Sequence, residues 1–188
     1  MPERKAEFRD AVQECARYAK SLSVNVVNVL AGAPPADLDR ARCMACFVDN
    51  LHHAAEVMAD IGVGVVMEPI NTRARAASLI STTAEGLQAI DWASHANLSL
   101  QYDLFHAQIM EGDLMQTLEE NIARIGHIQF ADVPARSEPG TGEINFTNIF
   151  EAIDRMGYKG WLGAEYIPST TTAESLSWFQ PFRRSQLV

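Results

Sequence analysis

The chain has 188 residues, of which 47% are apolar and 21% are charged. This composition is typical of a globular domain of ordinary size and excludes a disordered or fibrous chain. The formal net charge of −9 argues against binding to nucleic acid or to an anionic membrane surface. No apolar run is long enough to span a membrane, and the N-terminal residues lack the apolar segment of a secretory signal. We therefore expect a cytoplasmic protein.

Apolar patterning predicts five strands that alternate with helices. The predicted strands are Val24–Leu30, Ile61–Met67, Leu98–Tyr102, Ile128–Phe130 and Trp161–Ala164. The predicted helices are Glu3–Leu22, Asp37–Ala59, a segment from Thr82 or Thr83 to Ser94, Asp113–Ile125, a segment from Asn145 or Thr147 to Met156, and Thr172–Phe182, with a long turn before Asp113. Each connection is long enough to hold a helix, which favours parallel strands. We predict one α/β domain over residues 1–188.

The three cysteines do not indicate a disulfide framework. Cys15, Cys43 and Cys46 form an odd set, and the C-x-x-C pair lies inside a predicted helix rather than at a strand-to-helix junction. A zinc site would require a second pair. We expect three reduced thiols in or near the core, where cysteine behaves as a small apolar residue.

Four apolar runs end in a residue that can bind a metal or transfer a proton: Glu68, Asp103, Gln129 and Glu165. In a parallel sheet these ends meet at one edge, where α/β folds place their active sites. Converging carboxylates raise one another's pKa unless a cation lies among them. Oxygen ligands favour Mg²⁺ or Mn²⁺ over zinc. The alternatives are an ion pair between Glu68 and a nearby arginine, and a backbone partner for Gln129.

A cation beside two glutamates suits proton abstraction next to a carbonyl group. Glu68 and Glu165 would then remove and return the proton in an aldose–ketose isomerisation or an epimerisation. His106 is three residues after Asp103 and is either a structural histidine or a contact with the substrate. Arg136, in a long loop at the same edge, is either a clamp for a substrate carboxylate or a solvated charge. His127 is predicted to face the helices.

Four stretches of the chain resemble the hydroxypyruvate isomerases, which belong to the xylose isomerase-like TIM barrels and have ketose 3-epimerases as relatives. These stretches read MEPIN, QYDLFHAQIMEGDL, IGHIQFADVPARSEPGTGEINF and GWLGAEYIPSTTT. The resemblance implies metal ligation by Glu68, Asp103, Gln129 and Glu165, proton transfer by the two glutamates, and substrate contacts from His106 and Arg136. The implied reaction interconverts hydroxypyruvate and 2-hydroxy-3-oxopropanoate, a small sugar acid. One departure is Arg73–Ala77, where family members usually carry an acid and a Pro-Gly.

A (β/α)₈ barrel typically needs about 250 residues. The resemblance therefore implies an incomplete barrel, N-terminally truncated, with five βα units that correspond to strands 4–8. Five strands cannot close, and exposed edges invite pairing, so we expect a homo-oligomer. The alternatives are a ketose 3-epimerase, a 2-oxo-tetronate isomerase and a non-catalytic fragment that keeps the motifs.

Overall fold

Five parallel strands form a single sheet in the computed structural model, which describes residues 2–182. The strands are β1 (Val26–Leu30), β2 (Gly64–Glu68), β3 (Leu98–Asp103), β4 (Ile125–Phe130) and β5 (Leu162–Ala164). Their spatial order is the same as their order in the chain, and each neighbouring pair is parallel. The prediction of five parallel βα units is therefore confirmed.

Seven α-helices occupy the described residues. They are α1 (Lys5–Leu22), α2 (Arg40–Ala59), α3 (Thr83–Ala93), α4 (Leu104–Met110), α5 (Leu114–Asn121), α6 (Phe146–Arg155) and α7 (Thr172–Ser175). Short 3₁₀ helices span Pro2–Arg4, Ile122–Arg124 and Leu176–Phe182. The last predicted helix is thus one α-helical turn followed by 3₁₀ turns, and the helix predicted to reach Ile125 ends at Asn121.

Side-chain caps explain where three of the longer helices begin. Thr82 accepts a hydrogen bond from the Glu85 backbone N–H, and the Glu85 carboxylate accepts one from the Thr82 backbone, which forms a capping box before α3. Asp39 caps α2 and Asn145 caps α6 in the same way, by accepting a hydrogen bond from the backbone N–H three residues ahead. The predicted caps at Thr82 and Asn145 are confirmed, whereas α2 begins three residues after the predicted Asp37.

The helices pack on one face of the sheet and leave the other face polar. Val65, Met67, Leu100, Tyr102 and Ile128 point from the strands into the main core, where residues of the helices surround them. Most of the alternate positions carry polar side chains on the opposite face, which is the inner surface of the incomplete barrel, and Val66 is an apolar exception. These inner residues include Asn28, Glu68, Gln101, Asp103 and Gln129. The polar groups of four strands are therefore gathered on one concave side.

Helix α4 stands where the sequence predicted a long turn. It starts at Leu104, the residue after β3, and Asp103 caps it by accepting a hydrogen bond from the Phe105 backbone N–H at 2.9 Å. Its first four residues are all buried, so its sequence lacks the alternation of apolar and polar faces that reveals a surface helix. The helix holds His106 one turn beyond Asp103.

His127 faces the inner side of the sheet, and the prediction that it faces the helices is wrong. A Cβ atom added to Gly163 on β5 would lie 3.1 Å from His127 Nε2 and 3.2 Å from Gln129 Cγ, so both side chains share the inner face. His127 and Gln129 are two residues apart on β4, and the alternation of side chains along a strand places such residues on the same face.

The three cysteines are free, with Cys43 and Cys46 buried, as the sequence predicted. Within residues 2–182, no helix is long and apolar enough to cross a membrane.

Candidate active site

The four strand-end residues lie at the carboxyl edge of the sheet. Leu30 of β1 pairs with Glu68 of β2, and Asp103 of β3 pairs with Gln129 of β4. Glu165 follows β5 directly, and its backbone N–H donates to the Phe130 carbonyl at 3.0 Å. The structure therefore places all four predicted ligands along one edge, although it does not hold all of them in one contact group.

Glu68, Asp103 and His106 form the centre of the site. Each offers a ligand atom, and these atoms all lie within 4.8 Å of one another. His106 Nε2 is 3.5 Å from Asp103 Oδ2 and 3.8 Å from Glu68 Oε1. All three residues are buried. Asp103 and His106 come together because α4 begins directly after Asp103 and brings residues three apart to the same side.

Burial controls the ionisation of this cluster. It raises the pKa of Asp103 to about 7, although the hydrogen bond from Phe105 opposes the shift. It also raises the pKa of Glu68, with an opposing hydrogen bond from Asn28 and a smaller raising effect of the Glu165 charge. Burial, together with a smaller effect of the Arg136 charge, lowers the pKa of His106 to about 4. The imidazole is therefore neutral at physiological pH and does not neutralise the two acids.

Two amide side chains hold the oxygen ligands in place. Asn28 Nδ2 donates to Glu68 Oε2 at 2.6 Å, and Gln101 Nε2 donates to Gln129 Oε1 at 2.5 Å. Each pair joins neighbouring strands, so the oxygen atoms are fixed relative to the sheet. Asn28 and Gln101 were not predicted as site residues, although both lie on strands at inward positions. Each alternates along its strand with apolar residues, and this alternation could have identified both as residues of the inner face.

Arg136 and Glu165 form an ion pair at the rim of the site. Arg136 Nη2 lies 2.9 Å from Glu165 Oε2, and the guanidinium carbon lies 5.2 Å from the centre of the Phe105 ring. The Glu165 side chain is 54% exposed, in contrast to the buried Glu68. Arg136 is thus held above the cluster by an acid and an aromatic face, which excludes a freely solvated charge.

Asp132 anchors the loop that carries Arg136. Its Oδ1 accepts hydrogen bonds from the backbone N–H groups of Val133 and Ile144, and its Oδ2 accepts from those of Gly140 and Gly142. A Cβ atom at Gly142 would lie 1.9 Å from the Val133 carbonyl oxygen, so only glycine fits there. The two glycines of the Gly-x-Gly stretch therefore serve a tight turn.

The donor set fits a divalent cation of the hard type. Two buried carboxylates stand close together, and the nearest positive side chain, Arg136, is engaged by Glu165. A cation bound to their oxygens would favour the ionised forms, in the opposite direction to burial. Carboxylate and amide oxygens are ligands that Mg²⁺ and Mn²⁺ prefer.

The sheet order, the helical layer and the acidic cluster at the carboxyl edge are the features of a TIM-barrel enzyme site. The chain belongs to the xylose isomerase-like TIM barrel family, whose sequence profile matches residues 1–182. The expected fold class is thereby confirmed as an incomplete barrel of this family.

Two named isomerases and one crystal structure are similar to nearly the whole of this chain. The chain is 42% identical over 182 residues to a 2-oxo-tetronate isomerase of Cupriavidus necator, covering 97% of this chain and 70% of that protein. It is 40% identical over 183 residues to a hydroxypyruvate isomerase of Escherichia coli, covering 97% of this chain and 71% of that protein. A crystal structure described as an AP endonuclease, family 2, from Brucella melitensis superposes with a TM-score of 0.92 at 37% identity, covering 96% of this chain and 70% of that one.

Proposed function

We propose that the chain is an isomerase of small 2-oxo sugar acids that interconverts hydroxypyruvate and 2-hydroxy-3-oxopropanoate. The observation that carries this proposal is the pair of buried carboxylates, Glu68 and Asp103, beside a neutral histidine and below an arginine. The similarity to named isomerases at about 40% identity supports the same reaction class. The reaction moves one proton from C3 to C2 and one from the C3 hydroxyl to the C2 oxygen, so it needs no redox partner.

The metal centre comprises Glu68, Asp103, Gln129 and Glu165, and the metal is Mg²⁺ or Mn²⁺. The raised pKa values of the two buried acids support this assignment, because they mark sites where positive charge is missing. Held by these residues, a cation would supply positive charge that stabilises negative charge developing on the substrate oxygens. Gln129 Oε1 accepts one hydrogen bond from Gln101, and its second lone pair remains available to a metal.

Glu68 and Glu165 act as the acid–base pair on the substrate. One glutamate removes the proton from C3 and the other delivers a proton to C2, which requires that they face the substrate from different directions. Their environments support two different roles, since Glu68 is buried and has a raised pKa whereas Glu165 is half-exposed beside Arg136. His106 contributes a contact with a substrate oxygen.

Arg136 binds the substrate carboxylate. Its guanidinium is already positioned by Glu165 and by the Phe105 ring, so little side-chain freedom remains to be lost on binding. One of its nitrogens holds Glu165, and the planar fork offers further N–H groups to a second carboxylate. A substrate acid would therefore lie next to the glutamate that exchanges protons.

A 2-oxo-tetronate is the second candidate substrate. The relative with that name is 42% identical to this chain, against 40% for the hydroxypyruvate isomerase, so identity does not separate the two. Both substrates present a carboxylate next to a ketone, and they differ in the length of the remaining chain.

Proton NMR in D₂O tests the proposed function. Purified protein is incubated with Mg²⁺ and either hydroxypyruvate or a 2-oxo-tetronate, beside samples without protein. We expect exchange of the hydrogen on C3 and formation of the C3 carbonyl product, which is an aldehyde from hydroxypyruvate and a 3-oxo acid from a 2-oxo-tetronate. Glu165→Gln should lower both by about 10²- to 10⁴-fold. Glu151→Gln, an exposed glutamate on α6, is the matched control that keeps full activity. If folded, Mg²⁺-loaded protein exchanges neither substrate faster than buffer, the proposal is wrong.

We also propose that copies of the chain associate through the open side of the sheet. β1 and β5 each have a single neighbouring strand within the described residues, so their outer edges carry unpaired backbone groups. Leu30 on β1 is 48% exposed, and Trp161, just before β5, is 82% exposed. A second copy placed there would pair the edges and cover these side chains.

Sedimentation analysis over a range of concentrations tests the association. We expect a dimer or larger species that Leu30→Lys weakens, whereas Leu22→Lys, at an exposed position on α1, leaves it unchanged. A monodisperse monomer at all concentrations would refute the proposal.

A further inference from the structure

Asn71 lies just beyond β2 and makes a fixed contact with His106. The residue is fully buried. Its side-chain Oδ1 accepts a hydrogen bond from the Ala74 backbone N–H at 2.7 Å, which determines the orientation of the amide. The Nδ2 group consequently faces His106 Nδ1, at 2.6 Å. Neither strand position nor sequence spacing pointed to this residue.

A second donor approaches the same nitrogen of the histidine. The Asn71 backbone N–H points at His106 Nδ1 at 3.3 Å. A ring nitrogen that accepts hydrogen bonds carries no proton, and a neutral imidazole has a single N–H. The proton of His106 is therefore on Nε2. This assignment does not depend on the amide orientation alone, because a backbone N–H can only donate.

The Nε2–H group faces the acid cluster. Nε2 lies 3.5 Å from Asp103 Oδ2 and 3.8 Å from Glu68 Oε1. A protonated nitrogen has no lone pair to give to a metal. His106 therefore stands close enough to join a metal centre, but its tautomer prevents it from doing so.

We propose that Asn71 is a positioning residue that holds His106 in its Nε2–H form, so that the histidine donates a hydrogen bond to a substrate oxygen and does not ligate the metal. The acceptor is the ketone or enediolate oxygen of the substrate. The identity of that oxygen rests on the proposed function, whereas the tautomer and its cause do not.

Asn71→Asp reverses the hydrogen-bonding requirement with little change in shape. One carboxylate oxygen still accepts from Ala74, and the other replaces Nδ2 opposite His106 Nδ1. That oxygen can only accept, so it favours a proton on Nδ1 and leaves the Nε2 lone pair directed at Asp103 and Glu68. Asn148→Asp, on the exposed surface of α6, adds the same charge away from the site and is the matched control.

Long-range ¹H–¹⁵N NMR correlation of the metal-free protein at pH 8 reads the tautomer directly. The His106 signals are identified by their loss in His106→Gln. We expect protonated Nε2 and bare Nδ1 in the wild type and in Asn148→Asp, and the reverse in Asn71→Asp. Protonated Nδ1 in the wild type, or an unchanged tautomer in Asn71→Asp, would overturn the proposal. Because this measurement needs no turnover, its failure is distinct from failure of the proposed isomerase activity.

Metal preference supplies a second measurement. Nitrogen ligands favour Zn²⁺ over Mg²⁺, so freeing the Nε2 lone pair should raise the ratio of Zn²⁺ to Mg²⁺ affinity by about tenfold or more in Asn71→Asp. The added charge alone strengthens the binding of both ions and leaves the ratio near its wild-type value. An unchanged ratio in Asn71→Asp would contradict the role of Asn71, and an unchanged ratio in Asn148→Asp is the expected control.

Discussion

Asp103→Asn is expected to stabilise the metal-free protein at neutral and alkaline pH. Asp103 is buried, and burial raises its pKa to about 7 from an ordinary value of 3.8. Ionisation of Asp103 therefore opposes folding, whereas asparagine cannot ionise. The asparagine Oδ1 can still accept the Phe105 N–H, so the cap of α4 is kept. Substitution removes the unfavourable charge and keeps the structural contact.

The size of the effect follows from the pKa difference. One pKa unit corresponds to about 1.4 kcal/mol, so a shift of about three units costs the ionised native state about 4 kcal/mol. Because the native pKa is raised, the cost is absent below about pH 4, grows between about pH 4 and 7, and is complete above pH 7. The stability of the wild type relative to Asp103→Asn should therefore fall as the pH rises.

Urea unfolding in the presence of a chelator measures this difference. At pH 8 we expect a higher free energy of unfolding for Asp103→Asn than for the wild type, and at pH 4.5 a much smaller gap. Asp154→Asn, an exposed acid on α6, should show no such pH-dependent gap. Mg²⁺ should then stabilise the wild type and not Asp103→Asn. A gap that is absent at pH 8, or that does not change with pH, would refute the reasoning.

Four further substitutions test the rest of the site. Glu68→Gln and Glu165→Gln should each lower the rate of substrate proton exchange, measured by NMR, by about 10²- to 10⁴-fold. Circular dichroism should show that neither substitution unfolds the chain. Near-wild-type exchange in either variant would show that its glutamate does not belong to the acid–base pair. Arg136→Lys should raise KM more than it lowers kcat, because lysine cannot form the bidentate contact with a carboxylate. An effect on kcat alone would argue against carboxylate binding by Arg136. Gly142→Ala should destabilise the protein by about 1–3 kcal/mol in thermal unfolding, because the added Cβ would lie 1.9 Å from the Val133 carbonyl oxygen. An unchanged melting temperature would show that the turn can relax.

The strand ends could be predicted from the sequence because each combines two local signals. The first signal is an apolar run of strand length. The second is the acidic residue that directly follows the run, which is Glu68, Asp103 or Glu165. Parallel pairing then forces the ends to one edge, and the observed register agrees for β1 with β2 and for β3 with β4. The edge of the sheet that carries the site could therefore be predicted from local patterns and chain topology.

The contacts that tune the site could not be predicted in that way. Asn71 and His106 are 35 residues apart, and Asn28 and Glu68 are 40 apart, so no spacing rule connects either pair. The amide that holds Gln129 comes from the neighbouring strand at a distance of 28 residues. Helix α4 escaped prediction for a different reason, since its buried first turn gives no periodic pattern. Long-range side-chain geometry and uniform burial are thus the limits of sequence reasoning here.

The agreement between strand order and chain order has a consequence for how the protein is assembled during synthesis. Within the described residues each strand pairs with strands that are adjacent to it in the chain, so every new βα unit can dock on the one made earlier, without waiting for a distant segment. Glu68 on β2 comes close to Asp103 when β3 docks, and Glu165 takes its place only after β5 has docked. Binding of a cation would thus begin on a half-made chain and strengthen with the last strands, so metal available during translation would favour completion of the sheet.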